Sequence, residues 1–191
     1  MRSEDYQPTP PAQAHTEHTE NTSTLVFIRE LQHPPERVWA ALTDADQIAK
    51  WAPYRPDRNL TEAGVVAIRM LDGSTPEVYQ SVVQEVVANE KLQYSWGDSV
   101  LCWELAASAS GTTLTLRHTV ENPDWITPSA AGWHMCLDIA ELMMDGIEIG
   151  PIIGEAAMAY GWTKLVEHYG SVLGKRLEPA EAERIFEERK P

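Results

Sequence analysis

The stretch GWHMCLDIAELMMDG, residues 132–146, decides the fold. On a helical wheel at ~100° per residue, His134, Asp138, Glu141 and Asp145 fall in one narrow polar stripe. Trp133, Met135, Cys136, Leu137, Ile139, Ala140, Leu142, Met143 and Met144 spread over the remaining arc. A surface helix needs an apolar stripe of only ~100° or a little more, and this arc is about twice as wide. The pattern predicts a helix over 128–146 that touches a sheet on one side and a second partner on another. The polar stripe reads as its solvated face. His134 and Asp138, one turn apart, have the spacing of half a metal site, but no third ligand follows at recognisable spacing, so no metal or cofactor is expected.

A second helical pattern runs over 154–173, after GPIIG breaks the first. Met158, Trp162, Leu165, Tyr169 and Val172 recur at steps of four, three, four and three, with Glu155, Lys164, Glu167 and Ser171 on the other side. This stripe is the natural second partner. Short connections join spatial neighbours, which favours packing within the chain over a homodimer built from the same two helices.

Upstream the periodicity changes to two. LVFIREL, 25–31, reads as a strand, and five more are expected at 64–71, 76–87, 90–97, 99–107 and 111–119, with a short edge strand near 57–60. The breaks between the five are short and turn-like, as antiparallel hairpins require. Between the first strand and the rest, HPPERVWAALTDADQIAKWAP predicts two short helices. Pro34 and Pro35 open the first, Thr43, Asp44 and Asp46 cap the junction, and Pro53 ends the second.

Strand parity puts Tyr94 and Trp96 on one face with Leu101, Trp103 and Leu105, and with Leu114, Leu116 and His118. One bulky face and one mainly polar face are expected of an antiparallel sheet covered by helices on one side only. With Trp133, Leu137 and Trp51 from the helices, these residues either fill a core or line a concave pocket with a few polar groups; the residues alone leave both open. His118 is the best candidate for a general base or ligand contact, against the plainer reading of a hydrogen-bonded core histidine. Asp124 and Trp125, in ENPDWITP, are placed to cover a cavity mouth.

The remaining features bound the function. The formal net charge of −14 argues against nucleic acid and anionic membranes. No apolar run approaches the ~20 residues of a membrane span. Two cysteines, Cys102 and Cys136, are too few for a disulfide framework and lie in apolar stretches, so reduced thiols in a cytoplasmic protein are expected. No GxSxG elbow or phosphate-binding glycine loop occurs. Residues 1–23, rich in Pro, Thr, Glu and Gln, read as a disordered leader; residues 24–174 form the domain, and 175–191 a charged tail.

HPPERVWAALTDADQIAKW (33–51), QEVVANEKLQYSW (84–96), SGTTLTLRH (110–118) and AGWHMCLDIAELMMDG (131–146) resemble the START-like, or SRPBCC, superfamily. Within it, the sequence is similar to the branch named for the activator of heat-shock protein 90 ATPase homologue. The Gly-Trp pair at 132–133 is the most specific of these features. The likeness covers about residues 25–146 and extends to 173.

The resemblance implies an α+β helix-grip fold. A curved antiparallel sheet wraps a long C-terminal helix, with two short helices after the first strand and a cavity between sheet and helix. The expected function is binding of a small apolar or amphipathic molecule in that cavity, by Trp51, Tyr94, Trp96, Trp103, Leu116, His118, Trp133 and Leu137. The alternatives are an enzyme using His118 for acid–base chemistry on an apolar substrate, and a chaperone-associated interaction module using the exposed edge of the apolar arc, Met135 and Leu142. The co-chaperone activity of the family's namesake also depends on a separate N-terminal domain, where this chain has only its leader.

Overall fold

The computed structural model describes residues 3–73, 77–174, 181 and 184. The expected charged tail, 175–191, lies almost wholly outside them. Eight strands form one antiparallel sheet: β1 Gln13–His18, β2 Ser23–Leu31, β3 Tyr54–Pro56, β4 Gly64–Met70, β5 Val78–Val87, β6 Lys91–Trp96, β7 Ser99–Ser108 and β8 Gly111–Val120. Their order across the sheet is β1-β2-β8-β7-β6-β5-β4-β3. β5 to β8 follow one another as hairpins, and the sheet remains open, with β1 and β3 at its edges. The long helix α3, Ile126–Met144, lies along the concave face, while α1 Pro35–Thr43 and α2 Ala45–Ile48 close one end. This is the α+β helix-grip architecture.

Local chemistry accounts for most element ends. Asp44 accepts from the backbone N–H groups of Asp46 and Gln47, capping α2. Pro128 sits in the first turn of α3, where its missing N–H removes no helical bond, so the helix begins two residues earlier than expected. At the other end Gly146 adopts φ 82°, and Ile147 N–H reaches the Leu142 carbonyl at 2.8 Å. That left-handed closure satisfies carbonyls that would otherwise be orphaned. The helix expected over 154–173 is two: α4 Ala156–Ala159 and α5 Trp162–Val172. Gly161, at φ 94°, breaks them apart. The edge strand expected near 57–60 is β3 instead, a few residues earlier. Pro56 is tolerated there because an edge strand has one unpaired side.

Parity is as the sequence predicts. Leu92, Tyr94, Trp96, Leu101, Trp103, Leu105, Leu114, Leu116 and His118 are all buried. α5 packs on α3 within the chain, so Met135, Trp162, Leu165 and Tyr169 are buried without a second subunit. Met135 is only 1% exposed, which also removes it from the edge considered for a chaperone partner.

The disordered leader is corrected by the structure. β1 pairs antiparallel with β2 from Gln13↔Ile28 to His18↔Ser23. Tyr6 is 5% exposed and belongs to the hydrophobic core. The strand is held by backbone hydrogen bonds to an open sheet edge, which need no apolar period in its own sequence.

Candidate functional site

The segment beneath α3 is filled by interlocking rings. Trp103 and Trp133 stand edge to face with centres 5.3 Å apart, and Trp51 meets Trp103 in the same way at 6.1 Å. Trp103 Nε1 donates to the Tyr94 hydroxyl at 3.1 Å, and the Tyr54 and Tyr94 hydroxyls share a short hydrogen bond. Trp51 Nε1 donates to the Ala41 carbonyl at 2.9 Å. Every polar tip in this cluster has a protein partner, as buried Tyr and Trp require. Burial pushes the Tyr94 phenol up to about 12, so it stays neutral near pH 7.

An apolar open space lies on another flank of α3. A cleft of about 100 Å³ runs between the N-terminal half of the helix and the segment that follows it. Trp96, Gly132, Trp133 and Cys136 line it, together with Trp125, Ile152, Ile153, Ala157 and Trp162. Gly132 matters here because a Cβ at that position would meet nothing within 4 Å. The missing side chain leaves an opening, and the next residue, Trp133, supplies the adjoining wall. Gly154 has φ 61°, and a Cβ there would stand 3.0 Å from the Asp72 carbonyl, so glycine lets the roof approach the β4–β5 turn.

Of the eight residues expected to bind ligand, Trp96 and Trp133 line this cleft. His118 lines an adjoining space of about 330 Å³, with Tyr79, Asp98, Glu121 and Trp125. Trp51, Tyr94, Trp103, Leu116 and Leu137 line neither and belong to the core. The curvature expected to hold a void between sheet and helix is taken up by the indoles themselves. Trp162, Ile152 and Ile153 were missed because their part in a wall depends on how the chain returns after α3. Of the two residues expected at a cavity mouth, Trp125 lines both spaces and Asp124 lines neither.

His118 is 3% exposed, and its Nδ1 accepts from Trp133 Nε1 at 3.1 Å. That donation needs the Nδ1 lone pair, so a neutral ring here carries its proton on Nε2. Cys136 lines the cleft, but burial pushes its thiol up to about 12, with the Asp72 and Asp138 charges adding to the shift. It is a thiol near pH 7 and is not activated as a nucleophile. Among the described residues no group of three or more His, Cys, Asp and Glu could hold a metal ion.

The polar stripe of α3 is corrected most sharply. His134 is fully buried and Asp138 is 2% exposed. Asp138 accepts from Arg29 Nη2 at 2.5 Å, the Tyr6 hydroxyl at 2.7 Å, and Thr9 Oγ1 and N–H at 2.6 and 3.0 Å. His134 Nδ1 is hydrogen-bonded to the Tyr169 hydroxyl at 2.8 Å, and that hydroxyl accepts from Ala12 N–H at 2.9 Å. Burial alone would raise the Asp138 carboxyl; His134, whose Nε2 stands 3.5 Å from Oδ2, the Arg29 charge and Thr9 outweigh it and hold the carboxyl well below the usual range. The N-terminal segment covers His134 and Asp138, so the network is a clasp rather than an open site, while Glu141 is half-buried and Asp145 stays exposed as a solvated face requires.

The chain matches the family model described as Activator of Hsp90 ATPase homolog 1-like protein over residues 32–143, more than half its length. CalU16 from Micromonospora echinospora superposes with a TM-score of 0.63 at 16% identity, covering 84% of this chain and 96% of its own. SSP2350 from Staphylococcus saprophyticus gives 0.59 at 16% identity, covering 68% and 98%. MLL2253 from Mesorhizobium loti gives 0.56 at 26% identity, covering 64% and 97%. No curated protein matches the sequence. Among the described residues no helix is long and apolar enough to cross a membrane. The family match, with the Gly-Trp pair set at the opening of a cleft on the gripped helix, makes this chain a member of the family of activator of Hsp90 ATPase homologue 1-like proteins.

Proposed function

We propose that this protein binds a small apolar or amphipathic molecule in the cleft between the first half of α3 and the return segment 152–162. The observation that carries the reading is the unfilled position at Gly132, beside a wall built of Trp96, Trp125, Trp133 and Trp162. Apolar and aromatic walls with few polar groups suit ligands that gain mainly by leaving water. Both cysteines are free and buried, which accords with a reducing compartment, and we place the protein in the cytoplasm.

The test is a plug. Gly132→Phe projects a ring into the cleft without meeting a neighbour at Cβ. Titration with a neutral solvatochromic dye should show saturable binding to the wild type and none to Gly132→Phe, with unchanged near-ultraviolet circular dichroism. Equal dye affinity in a folded Gly132→Phe protein would sink the assignment of this cleft.

A further inference from the structure

The second space has a chemistry of its own. Trp96, Trp125 and Ser129 line both the cleft and the adjoining vestibule, so the two spaces are neighbours. The vestibule of about 330 Å³ is more polar than the cleft and includes Tyr79, Asp98, His118 and Glu121. Gly97, at φ 58° in the β6–β7 turn, lets the Tyr79 ring lie 3.2 Å from the position a Cβ would take. The vestibule thus holds three aromatic rings, from Tyr79, Trp96 and Trp125, and a rim with two exposed carboxylates. Asp72 adds a third carboxylate at the cleft, and among the described residues neither lining contains a Lys or an Arg.

Resting on the cleft reading above, we infer that the bound molecule is a cationic amphipath, with its apolar body in the cleft and an ammonium head in the vestibule. Ring faces carry negative quadrupole density and attract a desolvated cation. The carboxylates of Asp98 and Glu121 add attraction at the rim, weakened by solvent because both are exposed. A carboxylate or phosphate head would meet the like charges of Asp98 and Glu121, with no Lys or Arg among the described lining residues to offset them. The chain's net charge of −14 acts in the same direction at longer range.

The test uses three probes of equal chain length below their micellar concentrations: octyltrimethylammonium, octanol and octanoate. Isothermal titration of the full chain should give octyltrimethylammonium at least about tenfold tighter than octanoate, with octanol between them. The preference should shrink in Asp98→Asn/Glu121→Gln, in Tyr79→Leu, or in both, while octanol affinity holds. Octanoate binding as tightly as the ammonium, or a preference unchanged in both variants, overturns the cationic head and leaves the cleft standing. Binding of none of the three overturns the cleft reading itself, and the head preference with it.

Discussion

Arg29 Nη2 stands 2.5 Å from Asp138 Oδ1, joining the inner face of β2 to the middle of α3 across 109 residues of sequence. The same guanidinium reaches Glu141 Oε2 at 2.9 Å. The Arg29 and Asp138 side chains are 8% and 1% exposed, so water offers neither ion a substitute partner. Removing Asp138 leaves the buried Arg29 with only the partly exposed Glu141 carboxylate and takes the acceptor from the Tyr6 hydroxyl. Asp138→Ala should therefore lower the unfolding free energy by about 3–5 kcal/mol, read from urea denaturation midpoints.

The same carboxylate sets a pH dependence. Its folded pKa lies below the ordinary value, so its contribution is complete above an unfolded value of ~3.9 and is lost as pH falls through the folded value. Urea denaturation between pH 6 and 2.5 (about those limits, which bracket the unfolded value) should show wild-type stability dropping below ~pH 4. The difference between wild type and Asp138→Asn should narrow over the same window; a constant difference would remove Asp138 as the source.

The clasp also makes the N-terminal segment part of the domain. Tyr6→Phe removes a hydroxyl that donates to a buried carboxylate at 2.7 Å. A loss of about 1.5–3 kcal/mol is expected, with faster proteolytic cleavage in residues 7–12 before any global unfolding. Unchanged cleavage rates would show that the segment is held by β1 alone.

Trp103 and Trp133 separate core from wall. Trp103 is 1% exposed and lines no part of the cleft, so Trp103→Ala should cost about 3–5 kcal/mol while a folded sample keeps its affinity for a neutral apolar dye. Trp133→Ala should lower both stability and dye affinity, because this indole packs on Trp103 and lines the cleft as well. Dye binding that depends on Trp103 but not on Trp133 would reverse the assignment.

Gly132 offers a stabilising change with a functional cost. It lies within α3, and a Cβ there meets nothing, so Gly132→Ala should raise stability by about 0.5–1 kcal/mol through the unfolded chain's lost freedom. The same methyl narrows the cleft. A higher thermal midpoint together with weaker dye binding is the expected result.

The period-two runs from 64 to 119, the capped pair of short helices and the wide apolar arc of 132–146 were legible because each is a local pattern whose faces follow from backbone geometry. They determine an open antiparallel sheet gripping one helix, and they place Tyr94, Trp96, Trp103 and His118 on its inner face. Only the tertiary structure decided what covers the stripe of His134 and Asp138, since a polar stripe reads as solvent-facing until a distant segment brings Arg29, Tyr6 and Thr9 to satisfy it. Only it decided where the space lies. A void is the remainder left when side chains from several elements pack together, and here the sheet's own indoles fill the grip and leave the opening beside Gly132.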